Sequence, residues 1–390
     1  MTSMKILRQL ACAVLVCASC LSSEPVLARS GKGYEKRPIQ LTLPPAVYAV
    51  PGIEIGIYYD NIVLDKKSKE LRFKFECRIG RQEERRWILI ADERHVGAYK
   101  LSVTVSNGKS VLAQARTTVI VSPAYAGAKR DIRLLVIGDS LTAASRYPAE
   151  IARLLSRAEN PIFTMLGANQ VKRNTKVRHE GYGGWTWRTF ATKYEKDQTK
   201  KGKHGSSPFV FLTEKQAPVL NIRRYVSEQC DDKPPDIATF LLGINDCFGV
   251  SRSFQDEKAV NARIDRMFTH ADEIIMNFRQ ACPQATLAVC VTTPPNARES
   301  AFEHDYKGKY HRWNWKCVQH RLVQRILEHF GNREKENICL VPTELYIDPV
   351  DGYGSSGVHP NAEGYRQIGT SIYCWLKWRL DQSGVVRGRK

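Results

Sequence analysis

DIRLLVIGDSLTAAS, residues 131–145, decides the fold. From Ile132 to Ile137 it is a nearly continuous apolar run, the composition of a strand buried on both faces of a parallel sheet. The run stops at Gly138 and Asp139, and YPAEIARLLSRAEN, which follows at 147–160, has helical spacing. A strand turning sharply into a helix presents the residue at the turn to solvent, where helix N–H groups favour developing negative charge. Ser140 sits at that turn. It is placed to be a nucleophile; a cap after a tight turn is the other use of the same residues.

Downstream, DIATFLLG (236–243), ATLAVCVTT (285–293) and ENICLVPT (336–343) repeat the buried-strand pattern. Helical segments fall between and after them at about 258–281, 315–331 and 361–380, the last introduced by Pro360 and Asn361. Alternation of this kind predicts a parallel sheet with helices on both faces, whose ligands gather at the carboxyl ends of the strands. Upstream the pattern is different. IQLTLPP, EIGIYYDNIVL, LRFKFECRI, RRWILIA, YKLSVTVS and ARTTVIVS are short β-type runs between turn signals, which predicts a small β-sandwich over residues 38–123. SPAYAGAKR (122–130) then reads as a linker to an α/β domain over 131–382.

The first 28 residues have Lys5 and Arg8, an apolar run from Leu10 to Leu21, and Val26-Leu27-Ala28 before the expected cut after Ala28. That is the pattern of a signal peptide, and it predicts export to the periplasm or the exterior. The run is too short for a spanning helix, which needs about 20 residues, so stable membrane insertion is not expected. Cys17 and Cys20 raise a lipid anchor, against which stand bulky Val16 before Cys17 and the lack of an aliphatic residue before Cys20. Eight of the eleven cysteines lie beyond this leader, scattered and without CxxC spacing, so no particular disulfide is expected. The nine histidines form no local metal pattern, and neither metal nor other cofactor is predicted.

A formal net charge of +19 on 390 residues favours polyanionic partners. The charge is spread out, with local concentrations only at KYEKDQTKKGKHG (193–205) and the VVRGRK tail. No nucleic-acid motif accompanies it, which turns the expectation from DNA or RNA to an anionic matrix or polysaccharide.

Three more loops at the same sheet edge carry candidate chemistry. VRHEGYGGWTW (177–187) has Gly181, Gly183 and Gly184, where backbone can approach a bound group; GINDCFG (243–249) offers the Asn245 amide as an oxyanion donor or a helix cap; DGYGSSGVHPNAEGY (351–365) holds His359. In this order, GDSL at 138–141, the Gly184 turn, GIND at 243–246 and VHPNAEGY at 358–365 resemble the four blocks of the SGNH, or GDSL, hydrolases. The resemblance covers about 131–380 and implies a flavodoxin-like three-layer fold and a serine esterase. It implies Ser140 as nucleophile, His359 as general base, and an oxyanion hole from the Ser140 and Gly184 N–H groups and the Asn245 amide.

One position departs from the family. Where its members place an aspartate three residues before the histidine, this chain has Ser356. Asp351 and Asp348 are the candidate third members, and a backbone carbonyl completing a Ser-His dyad is the alternative. Tyr182, Trp185 and Trp187, with Trp313 in an aromatic and basic loop expected at 300–316, are candidate sugar-stacking residues, their other use being to pack a lid or interface. Secreted relatives commonly deacetylate polysaccharides, so the resemblance implies a carbohydrate O-acetylesterase acting on an acylated polysaccharide, and the net charge adds the expectation that this polysaccharide is anionic. The alternatives are a lipase or lysophospholipase-type esterase, and a non-catalytic polysaccharide-binding protein on the same fold.

Overall fold

A computed structural model describes residues 38–387 except 173, 198, 254 and 255. The leader expected at 1–28 lies outside the described residues. The β-type runs of the N-terminal region form β1 (Ala46–Ala49), β2 (Glu54–Tyr58), β3 (Arg72–Glu76), β4 (Arg81–Gln82), β5 (Arg86–Ile90), β6 (Gly97–Ser106) and β7 (Val111–Val121), with a one-turn helix α1 (Tyr59–Ile62) after β2. They make two sheets. One has the order β1-β7-β6-β3, with β1 parallel to β7 and the rest antiparallel; the other is an antiparallel β2-β5-β4. In β6, buried Leu101, Val103 and Val105 alternate with partly exposed Ser102 and Thr104, the period of a sheet covered on one face.

The run at 132–137 forms β8 (Asp131–Gly138), followed by α2 (Ser140–Ala143) and α3 (Arg146–Leu155). Next come β9 (Ile162–Leu166), β10 (Asn169–Val171), β11 (Asn174–Gly181), α4 (Trp187–Thr192), the hairpin β12 (Val210–Leu212) and β13 (Pro218–Leu220), and α5 (Ile222–Gln229). The remainder is β14 (Ile237–Leu241), α6 (Ile244–Cys247), α7 (Glu257–Ala281), β15 (Thr286–Cys290), α8 (Glu299–Tyr306), α9 (Arg312–Phe330), β16 (Ile338–Val341), α10 (Thr343–Tyr346) and α11 (Ala362–Arg387).

Strand β8 is central. β14, β15 and β16 follow it in parallel on one side, and on the other its first half pairs with β9 and its last two residues with β11. Every residue of β14, β15 and β16 is buried, so the sheet needs cover on both faces. Two helix groups supply it: α3 packs with α11, and α7 with α4, α5 and α9. Helix α7 shows why its segment is helical, because Val260, Ile264, Met267, Ala271, Ile274 and Phe278 recur at three- and four-residue steps and Asp256 caps its start. The segment expected as a loop at 300–316 is instead α8, a short turn and the first turns of α9. Phe302 and Trp315 are buried there, on helical faces that its aromatic and basic composition obscures.

The two parts share one hydrophobic core. The expected linker is held against α11, with the Arg130 guanidinium donating to Leu380 O at 3.1 Å. The Tyr346 hydroxyl accepts from Tyr48 N–H at 2.9 Å and donates to Tyr48 O at 2.5 Å, and the Asn61 amide donates to the Glu344 and Ile347 carbonyls. Asp60 lies with Lys316 and Arg312 of α9. Burial alone would raise the Asp60 pKa, but the two cations outweigh it and hold the carboxyl below its usual range.

Among the described residues, all eight cysteines are free thiols. Among the described residues no helix is long and apolar enough to cross a membrane.

Tyr346→Phe strands the Tyr48 N–H and C=O in a buried site and should lower stability by about 1–3 kcal/mol. Urea unfolding followed by tryptophan fluorescence is the check; an unmoved midpoint would mean that this link does not stabilise the shared core.

Candidate active site

The site is built at the carboxyl end of β8. A Cβ at Gly138 would lie 2.0 Å from Thr142 Oγ1 and 2.8 Å from Leu241 O, so only glycine allows α2 to fold back so closely. Asp139 caps that helix by accepting from Leu141 N–H at 3.0 Å. Burial pushes its carboxyl up to about 7, against the opposing effect of the Leu141 N–H. Ser140 follows, half-buried, with its N–H at the first helical position, where the helix offers no acceptor.

The loop carrying His359 is tied to the segment after β15 by Asn296, a fully buried residue. Its side-chain amide donates to Gly354 O and Ser356 O, both at 3.0 Å, and its own N–H donates to Gly357 O at 3.0 Å. Asn361 closes the loop, donating to Gly352 O at 2.9 Å through its N–H, while its Oδ1 caps α11. The result is a hydrogen bond of 2.9 Å between Ser140 Oγ and His359 Nε2, across 219 positions of sequence. His359 keeps a solvent-exposed edge. Desolvation of the rest of the ring lowers its pKa, the Asp305 charge raises it, and the net direction is below the ordinary imidazole value.

Neither expected third member reaches the histidine. Arg85 holds both, at 2.6 Å from Asp351 and 3.2 Å from Asp348. Asp348 also accepts the Val350 and Asp351 N–H groups. The expectation is corrected on both residues, because a cation from the N-terminal sheets has turned them away. A backbone carbonyl is not the partner either: His359 Nδ1 faces Ser356 Oγ at 3.3 Å, and Ser356 Oγ donates to Asp305 Oδ2 at 2.7 Å. No local signal marks Asp305 or Asn296, since each reaches the loop only through the tertiary fold.

Gly184 is exposed, at φ +80°, in a turn closed by Trp185 N–H on Tyr182 O at 3.2 Å. Asn245 lies at the start of α6, with its amide nitrogen donating to Trp185 O at 3.1 Å and to Asp139 Oδ2 at 3.3 Å. The four motif loops thus meet at one edge.

The aromatic candidates are a correction. Tyr182, Trp185 and Trp187 are at most 7% exposed, with Tyr182 stacked on Trp185 at 4.2 Å and Trp187 on Phe240 at 5.3 Å. They are core that shapes the glycine turn, with no face open to a sugar. Trp313 is half-buried and lines a groove of about 480 Å³ with Leu64, Lys66 and Arg321, none of them on the Ser140 or His359 loops. Among the described residues no cluster of His, Cys, Asp or Glu has the arrangement to hold a metal ion.

Fold and site together define an α/β serine hydrolase of carboxylic esters. Residues 136–367, more than half of the chain, match the model of the GDSL-like Lipase/Acylhydrolase family, and the chain belongs to that family. Among solved structures, it is similar to a Clostridium thermocellum family 3 carbohydrate esterase at 17% identity and TM-score 0.40, over 65% of this chain and 99% of that one. It is also similar to a carbohydrate esterase family 3 from Talaromyces cellulolyticus at 16% identity and TM-score 0.39, over 64% and 99%. Neither likeness bears on which ester this chain cleaves. Among curated proteins, none matches.

Because His359 must be neutral to accept a proton, labelling of the protein by a serine-directed phosphonate should fall away in acid with a midpoint below 6.5, the ordinary imidazole value. A midpoint at or above 6.5 would contradict the desolvated ring.

Proposed function

We propose that the chain is an exported esterase that removes acetyl groups from a polysaccharide through an acyl-enzyme on Ser140. The observation that carries this reading is the 2.9 Å contact between Ser140 Oγ and His359 Nε2. Ser140 Oγ attacks the ester carbonyl carbon as its proton passes to His359 Nε2. The tetrahedral oxyanion takes hydrogen bonds from the Ser140 and Gly184 N–H groups and the Asn245 amide. For that, the longer of the two Asn245 contacts, to Asp139, gives way. Collapse breaks the carbon–oxygen bond to the sugar, and His359 returns the proton to the departing hydroxyl. Water, deprotonated by the same imidazole, then releases acetate and restores Ser140.

A small acyl group is favoured by what surrounds the pair. Ala143, Ala144, Gly184, Gly249, Gly354 and Ser355 are small, exposed residues of the motif loops. Among the described residues, the large exposed hydrophobics, such as Ile90, Ile162 and Met276, lie on other elements. Among the described residues a long acyl chain would therefore find no large, fully exposed hydrophobic on these loops, which favours a short acyl group. The net charge of +19 supports an anionic glycan.

The same proposal takes residues 1–28 as an export leader and residues 38–123 as an accessory sandwich. Lys5 and Arg8 before an apolar run support the first, and the two sheets of β1 to β7 the second.

Acetate release from acetylated glycans of differing charge is the test. Release by the parent and none by Ser140→Ala is expected, with Asn245→Ala slower by about 10²–10³-fold. Cleavage of lipid esters with every glycan left intact would overturn the substrate class, and absence of a phosphonate adduct on Ser140 would favour a binding protein over an esterase.

A further inference from the structure

Around the histidine, the hydrogen-bond inventory closes in only one way. A serine hydroxyl has one proton to donate and two lone pairs, whereas an ionised carboxylate only accepts. Ser356 Oγ lies 2.7 Å from Asp305 Oδ2, so its proton goes there. Its lone pairs then face the His359 backbone N–H at 3.2 Å and Nδ1 at 3.3 Å. Nδ1 must therefore carry the ring proton, which leaves the Nε2 lone pair directed at Ser140 Oγ.

We infer that Asp305, acting through the Ser356 hydroxyl, is the positioning residue that sets the tautomer and orientation of His359. The inference rests on the reading of Ser140 and His359 as nucleophile and base, and deepens it. The carboxylate that the family draws from the histidine loop comes here from α8, one hydroxyl further out. Its placement is fixed at several points. Asp305 Oδ2 also accepts Gly357 N–H at 2.9 Å, and Phe302, one turn earlier on α8, packs against Gly357, where a Cβ would come within 3.0 Å of its ring. Burial opposes the charge on Asp305, but the Ser356 hydroxyl and the Gly357 N–H outweigh it, so the carboxyl stays below its usual range and ionised.

When Ser140 loses its proton, His359 becomes an imidazolium whose Nδ1–H still donates to Ser356, and the hydroxyl relays the stabilising charge without any proton leaving the chain of bonds. Besides Asp305, the nearby titratable groups are His304 of α8, 3.0 Å from the other Asp305 oxygen, and Asp139 beneath α2, which is turned to Leu141 N–H and Asn245.

The experiment is the pH dependence of p-nitrophenyl acetate hydrolysis by the full-length protein and its variants. Asp305→Asn keeps an acceptor for Gly357 but removes the charge. It should lower kcat about 10- to 100-fold, short of the roughly 10⁴-fold seen when a directly bonded triad aspartate is replaced. The acid limb should also shift to lower pH, because the charge that favoured the imidazolium is gone. Ser356→Asp placed in the Asp305→Asn background should recover most of the rate by setting a carboxylate beside Nδ1. Mere loosening of the loop would do the reverse, hydrating the ring and moving the limb up.

An upward shift, an unchanged kcat, or no recovery in the double variant overturns the inference. Nitrogen-15 spectra of histidine in the parent protein give a second readout independent of how the variants fold: Nδ1-protonated His359 is expected, and the Nε2-protonated form would overturn it. A parent protein that neither hydrolyses the ester nor forms a phosphonate adduct would instead defeat the esterase reading, leaving the tautomer to report on the relay alone.

Discussion

The structure depends on the burial of β8. A strand with Leu134, Leu135, Val136 and Ile137 all withdrawn from water is stable only with hydrogen-bonded neighbours on both edges and cover on both faces. β14 takes one edge, and the other is divided between β9 and β11. That division matters for the chemistry. Because β11 pairs with the last residues of β8, through Gly181 and Gly138, the glycine turn at 183–184 leaves the sheet beside Ser140.

Much of this was legible along the chain, because buried parallel strands and their helices declare themselves in local apolar patterns. Ser140, Gly184 and Asn245 could be singled out for the same reason, each in a short segment just past a strand end, whereas His359 lies well beyond β16 and was marked by its motif ahead of α11. What the chain could not disclose were partners that arrive from elsewhere. Asp305 is an unremarked acid in EHD until α8 packs Phe302 under the histidine loop. Asp348 and Asp351 looked available from their positions, and only the fold brings Arg85, more than 250 residues away, to occupy them.

The aromatic residues teach a related lesson. Composition alone does not distinguish a ring that awaits a sugar from one that fills a core, and Tyr182, Trp185 and Trp187 do the latter. The edge-to-face contacts of Tyr182 and Trp185 with Phe190, and the stack of Trp187 on Phe240, give the Gly184 turn a packed base. Pre-organised donors stabilise charge without reorganising as it develops. The rings therefore serve the site from below.

The contact of Tyr48 with Tyr346 spans 298 positions, and Asp60 waits for Lys316 and Arg312 in the same way. Topology of this kind slows folding, because closure of very long loops precedes the contacts that reward it. The amino-terminal sheets leave the ribosome first yet cannot complete their burial until α9 and α10 have been synthesised. During that interval their apolar faces are open to misassociation, so the newly made chain has reason to depend on holding factors before the esterase is whole.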